Sequence, residues 1–109
     1  MYTSLGCWKD RTKHAIPSLE QDHTHPILSH TSKFKRRKSG ILKCLELARS
    51  LGFTVFALQN GGECLSSSTA QITYKKFGTS TDCKKDGKGG PFANQVYQIK
   101  KGLQNIMQK

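Results

Sequence analysis

A short basic run in the first half of the chain holds the residues best suited to bind an anion. Five of the six residues from 33 to 38 are cationic: Lys33, Lys35, Arg36, Arg37 and Lys38. Like charges this close repel one another, so the run stays solvated unless a polyanion neutralises it and releases its own counterions. Arginine can also hold sulfate or carboxylate through two parallel hydrogen bonds. The run predicts a polyanion-binding segment, with a solvated, mobile charged face as the alternative.

A glycine-rich segment nearer the carboxyl terminus carries further lysines around an Asp86-Gly87 turn. It has too few carboxylates for a calcium loop, and the lysines within it would repel a cation. We interpret it as a turn in which glycine lets chain segments approach closely. The lysines expected to extend the basic run, if the fold brings them near, are Lys75, Lys76, Lys84, Lys85 and Lys88.

The four cysteines could bind a metal or cross-link the chain: Cys7, Cys44, Cys64 and Cys83. Structural zinc sites bring thiolates in close pairs, whereas 36, 19 and 18 residues separate consecutive cysteines here. An even number in a short chain favours two disulfides, with free buried thiols as the alternative. Of the three possible pairings we favour Cys44–Cys64, which flank one helix–strand unit, and this leaves Cys7–Cys83.

Histidines cluster in and beside the polar segment that precedes the basic run: His14, His23, His25 and His30. Alternate residues of an extended chain point to one side, so His23 and His25 together could hold zinc or copper. No cysteine lies nearby to complete such a site. We therefore interpret the segment as a solvated loop and expect no metal.

Catalysis has little support in the sequence. The serines at 66–68 do not lie in a Gly-x-Ser-x-Gly elbow, and no Gly-x-x-x-x-Gly-Lys-Ser/Thr phosphate loop is present. The cysteines are better explained as disulfides than as nucleophiles. We expect no catalytic residues and no cofactor, so the chain is predicted not to be an enzyme.

Two aromatic residues are candidates for stacking on a sugar ring. Trp8 follows Cys7, and Phe92 ends a Gly-Gly-Pro-Phe turn. A tryptophan beside a half-cystine commonly packs over the disulfide, so Phe92 is the residue we expect to be exposed.

Length and composition favour one small basic domain. The net charge is +11, from 18 Lys and Arg against 7 Asp and Glu, and hydrophobic residues make up 35% of the 109 residues. So modest an apolar core needs another constraint, which disulfides supply. We expect a single domain over residues 1–109, with its core at 3–99 and a tail at 100–109. The charge favours an acidic partner, and disulfides favour extracellular polysaccharide over nucleic acid.

The expected location follows from the cysteines. No stretch approaches the roughly 20 apolar residues that span a bilayer, and residues 1–8 contain no apolar signal-peptide core. Disulfides form in oxidising compartments, so we predict a secreted protein in which Met1 starts a mature or excised domain.

The apolar periodicity indicates the elements that position these residues. Ser39 is expected to cap a helix in which apolar residues recur at three- and four-residue steps from Ile41 to Leu51, and Gly52 is expected to end it. A second, weaker helix is expected to begin at 66–68 and to end at Phe77, with Ile72 at the centre of its apolar face.

Alternating and apolar runs predict a small sheet. The expected strands span residues 2–8, 14–19, 53–58 and 95–99, the first of them at an edge. The resulting fold class is α+β: a small antiparallel sheet packed against one or two helices and stapled by disulfides.

Several segments carry a resemblance to known modules: Gly6–Asp10, Lys43–Ala48, Gly52–Leu58 and Gly62–Cys64. In this order they resemble WSC-type domains and, more loosely, PAN/apple modules, although WSC domains typically carry more cysteines than this chain. Ala15–Glu20 and Asp86–Asn94 are similar to segments of uncharacterised four-cysteine modules of animal secreted proteins, and the resemblance spans residues 3–99. It implies an extracellular recognition module, commonly carbohydrate-binding or adhesive and without catalysis. It also implies the Cys44–Cys64 pairing.

The sequence therefore predicts an extracellular carbohydrate-binding or adhesion module that recognises acidic or sulfated, heparin-like glycans through its basic loop. One alternative is a secreted protein-interaction or toxin-like module that docks on an acidic receptor surface. Another is an intracellular nucleic-acid-binding protein with reduced thiols.

Overall fold

A single antiparallel sheet organises the chain in the computed structural model, which describes residues 1–20 and 37–100. The sheet has four strands in the order β1-β4-β2-β3. The elements in chain order are β1 (Tyr2–Lys9), α1 (Gly40–Ser50), β2 (Val55–Gln59), β3 (Glu63–Ser66), α2 (Ala70–Thr73) and β4 (Ala93–Ile99). The α+β class predicted from the sequence is confirmed.

The last strand, β4, lies between β1 and β2. Its first residue, Ala93, is opposite Lys9 at the end of β1, and the next, Asn94, is opposite Gln59 at the end of β2. Both neighbours are therefore antiparallel to β4, and they finish where it begins. We call this end of the strands the loop end, because the long segment between α2 and β4 returns to the sheet there.

Helix α1 covers one face of the sheet. Cys44, Leu45 and Ala48 are buried against β2 and β4, where Phe56 and Tyr97 lie in the same apolar cluster. The helix predicted from the apolar spacing is thus confirmed, and Gly52 follows it in the left-handed conformation with φ 81°. Ser39 occupies the N-cap position, as predicted, with φ 54°, although its side chain makes no capping hydrogen bond.

The other face of the sheet is covered by Ile16, in the segment after β1, and by α2. Ile16, Ala70 and Val96 belong to the apolar cluster on this side, together with the β2 residues Val55 and Ala57. Strand β2 is buried along its whole length because both faces are covered, and this explains why its sequence is a continuous apolar run.

Helix α2 is a single turn and differs from the prediction. It spans four residues, and its buried residue is Ala70. Ile72, expected at the centre of the apolar face, is 72% exposed. Ser66, a candidate cap, is the last residue of β3 instead. The predicted strand at 14–19 reduces to one bridge between Ser18 and Leu65 at the outer edge of β3.

Both predicted disulfides are present. Cys44–Cys64 joins α1 to β3 across a Cα–Cα distance of 5.4 Å, and both cysteines are fully buried. Cys7–Cys83 joins β1 to the segment before β4 and closes a sequence separation of 76 residues. Cross-links of this kind each stabilise a small domain by about 2–4 kcal/mol. Among the residues that the structure describes, no helix is long and apolar enough to cross a membrane.

Candidate functional site

The glycine-rich segment forms a fixed loop over the turn between β2 and β3. We call residues 84–90 the glycine loop. The amide of Gly61 donates to the carbonyl of Lys88 at 3.0 Å, and the amide of Asn60 donates to the carbonyl of Gly90 at 3.2 Å. Within the loop, the amide of Lys84 donates to the carbonyl of Gly89 at 3.0 Å. The loop lysines are therefore held at the loop end of the sheet.

Close approach of the two segments depends on Gly89. A Cβ atom there would overlap the carbonyl oxygen of Leu58 and would lie 2.6 Å from the carbonyl oxygen of Ala93. Its φ of 75° also falls in the left-handed region that favours glycine. The interpretation of this segment as a glycine turn that permits close packing is confirmed.

Tyr97 of β4 fastens the other side of the glycine loop. Its phenol is largely buried and donates a hydrogen bond of 2.6 Å to the carbonyl oxygen of Gly87. Burial, followed by the nearby Tyr2 and Asp86 side chains, raises the pKa of the Tyr97 phenol to about 12. The phenol therefore stays protonated, and remains a donor to the loop, even at a pH near 10 where an exposed tyrosine begins to ionise.

A cavity of about 230 Å³ opens between the glycine loop and the β2–β3 turn. It is lined by Asn60, Gly61, Lys84, Asp86, Gly89 and Gly90. Lys84 supplies a cation at its wall, and Asp86 supplies a carboxylate that already accepts the amide of Lys88 at 2.9 Å. This wall can pair with an acidic group through the lysine and with hydroxyl groups through the backbone and the carboxylate.

The start of α1 lies against the same region. A Cβ atom at Gly40 would be 3.8 Å from the Cα of Gly62 and 3.8 Å from Cδ of Lys88. Lys38 precedes Gly40 by two residues and is exposed. The first turn of α1 carries no acidic residue, so the partial positive charge of the helix terminus adds to that of the lysines.

Four of the predicted cations thus gather at the loop end. Lys38, Lys84 and Lys85 are exposed, and Lys88 is half-buried. The ion pairs within the described part of the chain are His14–Asp10 and Arg37–Glu20, so these lysines are left without an acidic partner there. We call Lys38, Lys84, Lys85 and Lys88 the basic site.

Arg37 does not belong to this surface, contrary to its assignment to the polyanion-binding run. Its side chain is 1% exposed and forms a two-pronged ion pair with Glu20, at 2.6 and 2.7 Å. It also donates to the carbonyl oxygen of Gly62 at 2.7 Å. Glu20 in turn accepts the amide of Cys64 at 2.8 Å. Arg37 therefore fastens the segment before α1 to the β2–β3 turn, beside the buried disulfide.

The remaining residues of the basic run, Lys33, Lys35 and Arg36, lie outside the described residues, as do His23, His25 and His30. His14 is described, and its Nδ1 pairs with the buried carboxylate of Asp10. That carboxylate also accepts the amide of Ala15 at 2.8 Å and the side chain of Gln59 at 2.6 Å. His14 therefore belongs to a polar network that fixes the chain after β1. Within the described residues, no cluster of histidine, cysteine and carboxylate side chains could hold a metal ion.

The two candidate stacking residues have different surroundings. Trp8 is half-buried, its Nε1 donates to the carbonyl of Leu5 at 2.9 Å, and its ring packs edge-on against Tyr74 at 5.2 Å. Phe92 is 59% exposed, as expected from its turn. Phe92 therefore remains available to a ligand, whereas Trp8 contributes mainly to the apolar cluster beneath it.

An aromatic surface at the same end of the sheet contains Arg11 and Phe77, which sequence reasoning missed, together with two of the predicted lysines. Arg11 places its guanidinium carbon 4.8 Å from the centre of the Phe77 ring, and Lys76 places its Nζ 5.4 Å from it. Lys75 approaches the ring of Tyr74 in the same way, at 5.4 Å. Lys75 and Lys76 therefore join this aromatic surface and not the glycine loop. The pairing of Arg11 with Phe77 had no local signal, because the two residues meet only in the fold.

No protein-family model matches the chain, and no curated protein matches it. The resemblance to WSC-type and PAN/apple modules therefore stays a prediction.

Proposed function

We propose that this chain is an extracellular module that binds acidic or sulfated glycans through the basic site at the loop end of its sheet. The observation that carries the proposal is the placement of Lys38, Lys84, Lys85 and Lys88 at one end of the sheet, where Lys84 lines an open cavity. Backbone hydrogen bonds hold the glycine loop in place, so little ordering of the backbone is needed when a ligand arrives.

The electrostatics favour a polyanion. The lysines of the basic site have no acidic partner among the described residues, and the whole chain carries a net charge of +11. A chain of sulfate or carboxylate groups would neutralise several of these lysines at once and would release the counterions condensed on it. The affinity should consequently fall steeply with salt.

Two features favour a glycan over a nucleic acid. Disulfides such as Cys7–Cys83 and Cys44–Cys64 persist in oxidising compartments, where sulfated and uronic polysaccharides are the abundant polyanions. The resemblance to WSC-type domains points the same way, because those modules are commonly carbohydrate-binding or adhesive. A non-catalytic recognition role is the proposal that agrees with both.

The test compares two resins of similar charge. Wild-type protein should elute from heparin resin at clearly higher salt than from a sulfonate cation exchanger. The variant Lys84→Gln/Lys85→Gln should lose most of this difference. The matched control Arg49→Gln/Lys100→Gln removes the same charge from exposed residues at the opposite end of the sheet. It should shift both elution positions equally.

Elution of the wild type from both resins at the same salt would remove the case for glycan recognition. Equal shifts for the two double variants would show that net charge, and not the basic site, determines retention. A blank glycan array together with capture of one acidic protein would support the protein-interaction alternative.

A further inference from the structure

Two exposed cations converge on one aromatic ring at the loop end, apart from the basic site. The guanidinium carbon of Arg11 and the Nζ of Lys76 lie 4.8 and 5.4 Å from the centre of the Phe77 ring. The two charges are therefore at most about 10 Å apart, which is about one Debye length at moderate salt. Neither Arg11 nor Lys76 forms an ion pair within the described part of the chain. An anion that approaches both would relieve their mutual repulsion, and the ring holds their side chains in place for it.

A strained, exposed aromatic residue lies beside this pair. Gly90 and Ala93 exchange backbone hydrogen bonds of 3.0 and 3.1 Å, which closes a tight turn over Pro91 and Phe92. Phe92 has φ 50°, a conformation that favours glycine or asparagine at this place in a turn after proline. Its ring is 59% exposed, so packing of the ring offsets little of the backbone strain. Strain of this kind is concentrated at functional sites.

The end of β1 places the two features side by side. The amide of Lys9 donates to the carbonyl of Gly78 at 2.8 Å, and the amide of Asp10 donates to the carbonyl of Phe92 at 2.9 Å. Successive amides of an extended chain point to opposite sides, so the Phe77–Gly78 segment and Phe92 flank the end of β1. Their backbones are about two strand spacings apart, roughly 10 Å. Arg11 is the next residue of the chain after Asp10.

We propose that Arg11, Lys76, Phe77 and Phe92 form a second contact site for the same acidic glycan, and that it binds a pyranose carrying sulfate or carboxylate. This inference rests on the proposed function. The weakly positive C–H face of the sugar packs on the exposed ring of Phe92, whose face is electron-rich. The acidic substituent pairs with Arg11, which can hold it through two hydrogen bonds, and with Lys76.

The two sites suit one extended ligand. The segment from Gly78 to Phe92 runs from the second site through the glycine loop and back, so both sites lie at the loop end. A neutral sugar would not need the cations, and a ligand that is recognised by charge alone would not need Phe92. The combination favours an acidic polysaccharide long enough to reach both sites.

The test uses size-defined, heparin-derived oligosaccharides and a single-stranded DNA of similar charge, titrated into the protein by calorimetry. Phe92→Gly should weaken oligosaccharide binding by roughly two- to tenfold, the range for one aromatic contact. It should leave the salt dependence unchanged, because no charge is lost, and should raise the midpoint of thermal unfolding, because glycine accepts the positive φ. Arg11→Gln/Lys76→Gln should weaken binding and make its salt dependence shallower.

The outcomes separate this inference from the proposed function. Wild-type protein that binds no oligosaccharide would overturn both. The second site alone would be overturned if Lys84→Gln/Lys85→Gln weakens oligosaccharide binding while Phe92→Gly and Arg11→Gln/Lys76→Gln bind with the wild-type affinity. A lower unfolding midpoint for Phe92→Gly would identify the ring as a packing residue and would also overturn it. Tighter binding of DNA than of oligosaccharide, lost in Phe92→Gly, would reassign the ring to nucleobase stacking.

Discussion

Removal of one charge from the Arg37–Glu20 pair should show that Arg37 belongs to the core and not to the ligand-binding surface. The substitution is Glu20→Gln, which keeps the shape of the side chain. In the native protein both carboxylate oxygens accept from Arg37, and Oε2 also accepts the amide of Cys64. A glutamine amide presents an N–H₂ group where one of those oxygens was, so it places a donor against the guanidinium and removes the negative charge of Glu20 from the pair.

The size of the effect follows from burial. The Arg37 side chain is 1% exposed and that of Glu20 is 17% exposed, so water cannot replace the lost carboxylate at the guanidinium. Breaking a buried pair in this way costs about 3–5 kcal/mol, and the partial exposure of Glu20 favours the lower value, ~3 kcal/mol. For a domain of this size, that loss corresponds to a decrease of roughly 12–24 °C in the unfolding midpoint.

Thermal and urea unfolding without reductant measure this loss, because both disulfides then remain intact in all proteins compared. Glu46→Gln is the matched control. Glu46 lies on the exposed side of α1, and its change should stay within about 0.5 kcal/mol of wild type. A loss below about 1 kcal/mol for Glu20→Gln would refute the buried pair and would return Arg37 to the candidate anion-binding residues.

Two further predictions concern the glycine loop. Tyr97→Phe removes the hydrogen bond to Gly87 and should cost about 1 kcal/mol at neutral pH, measured by urea unfolding. Folding raises the pKa of the Tyr97 phenol to about 12. The stabilisation of the folded state that is linked to this shift is complete below the unfolded pKa near 10 and is lost as the pH rises to about 12. Wild type should therefore lose more stability than Tyr97→Phe over that interval, and parallel losses would contradict the assignment. Gly89→Ala should destabilise the protein by at least ~2 kcal/mol more than Gly52→Ala, since both residues have positive φ but only Gly89 is surrounded by backbone. Equal losses would show that the loop can move aside.

Local patterns were sufficient to predict the elements and the cross-links. The apolar run that forms β2 and the spacing that places Cys44 on the buried side of α1 are both short-range signals. The disulfide pairing followed from which elements the cysteines flank. The position of β4 between β1 and β2 was not predicted, because it depends on pairing between residues far apart in the chain.

The errors arose where a distant partner decides the environment of a residue. Arg37 lies in the same run of cations as Lys33–Arg36, and its buried contacts with Glu20 and with the carbonyl oxygen of Gly62 leave no signal in that run. Ile72 was placed in the core by its type, but α2 is too short to present an apolar face and buries Ala70 instead. The gathering of Lys38 with the glycine-loop lysines likewise depends on tertiary contacts at Gly40 and Gly61.

Amide NMR spectra recorded while a heparin-derived oligosaccharide is added would locate the bound ligand on the sheet. We expect the perturbed amides to cluster at the loop end, at Lys38, residues 84–88, Arg11, residues 76–78 and Phe92. Residues 49–54 and 99–100, at the opposite end of the sheet, should not respond. Perturbations centred on that opposite end, or none at ligand concentrations far above those of the protein, would show that the loop end does not bind the glycan.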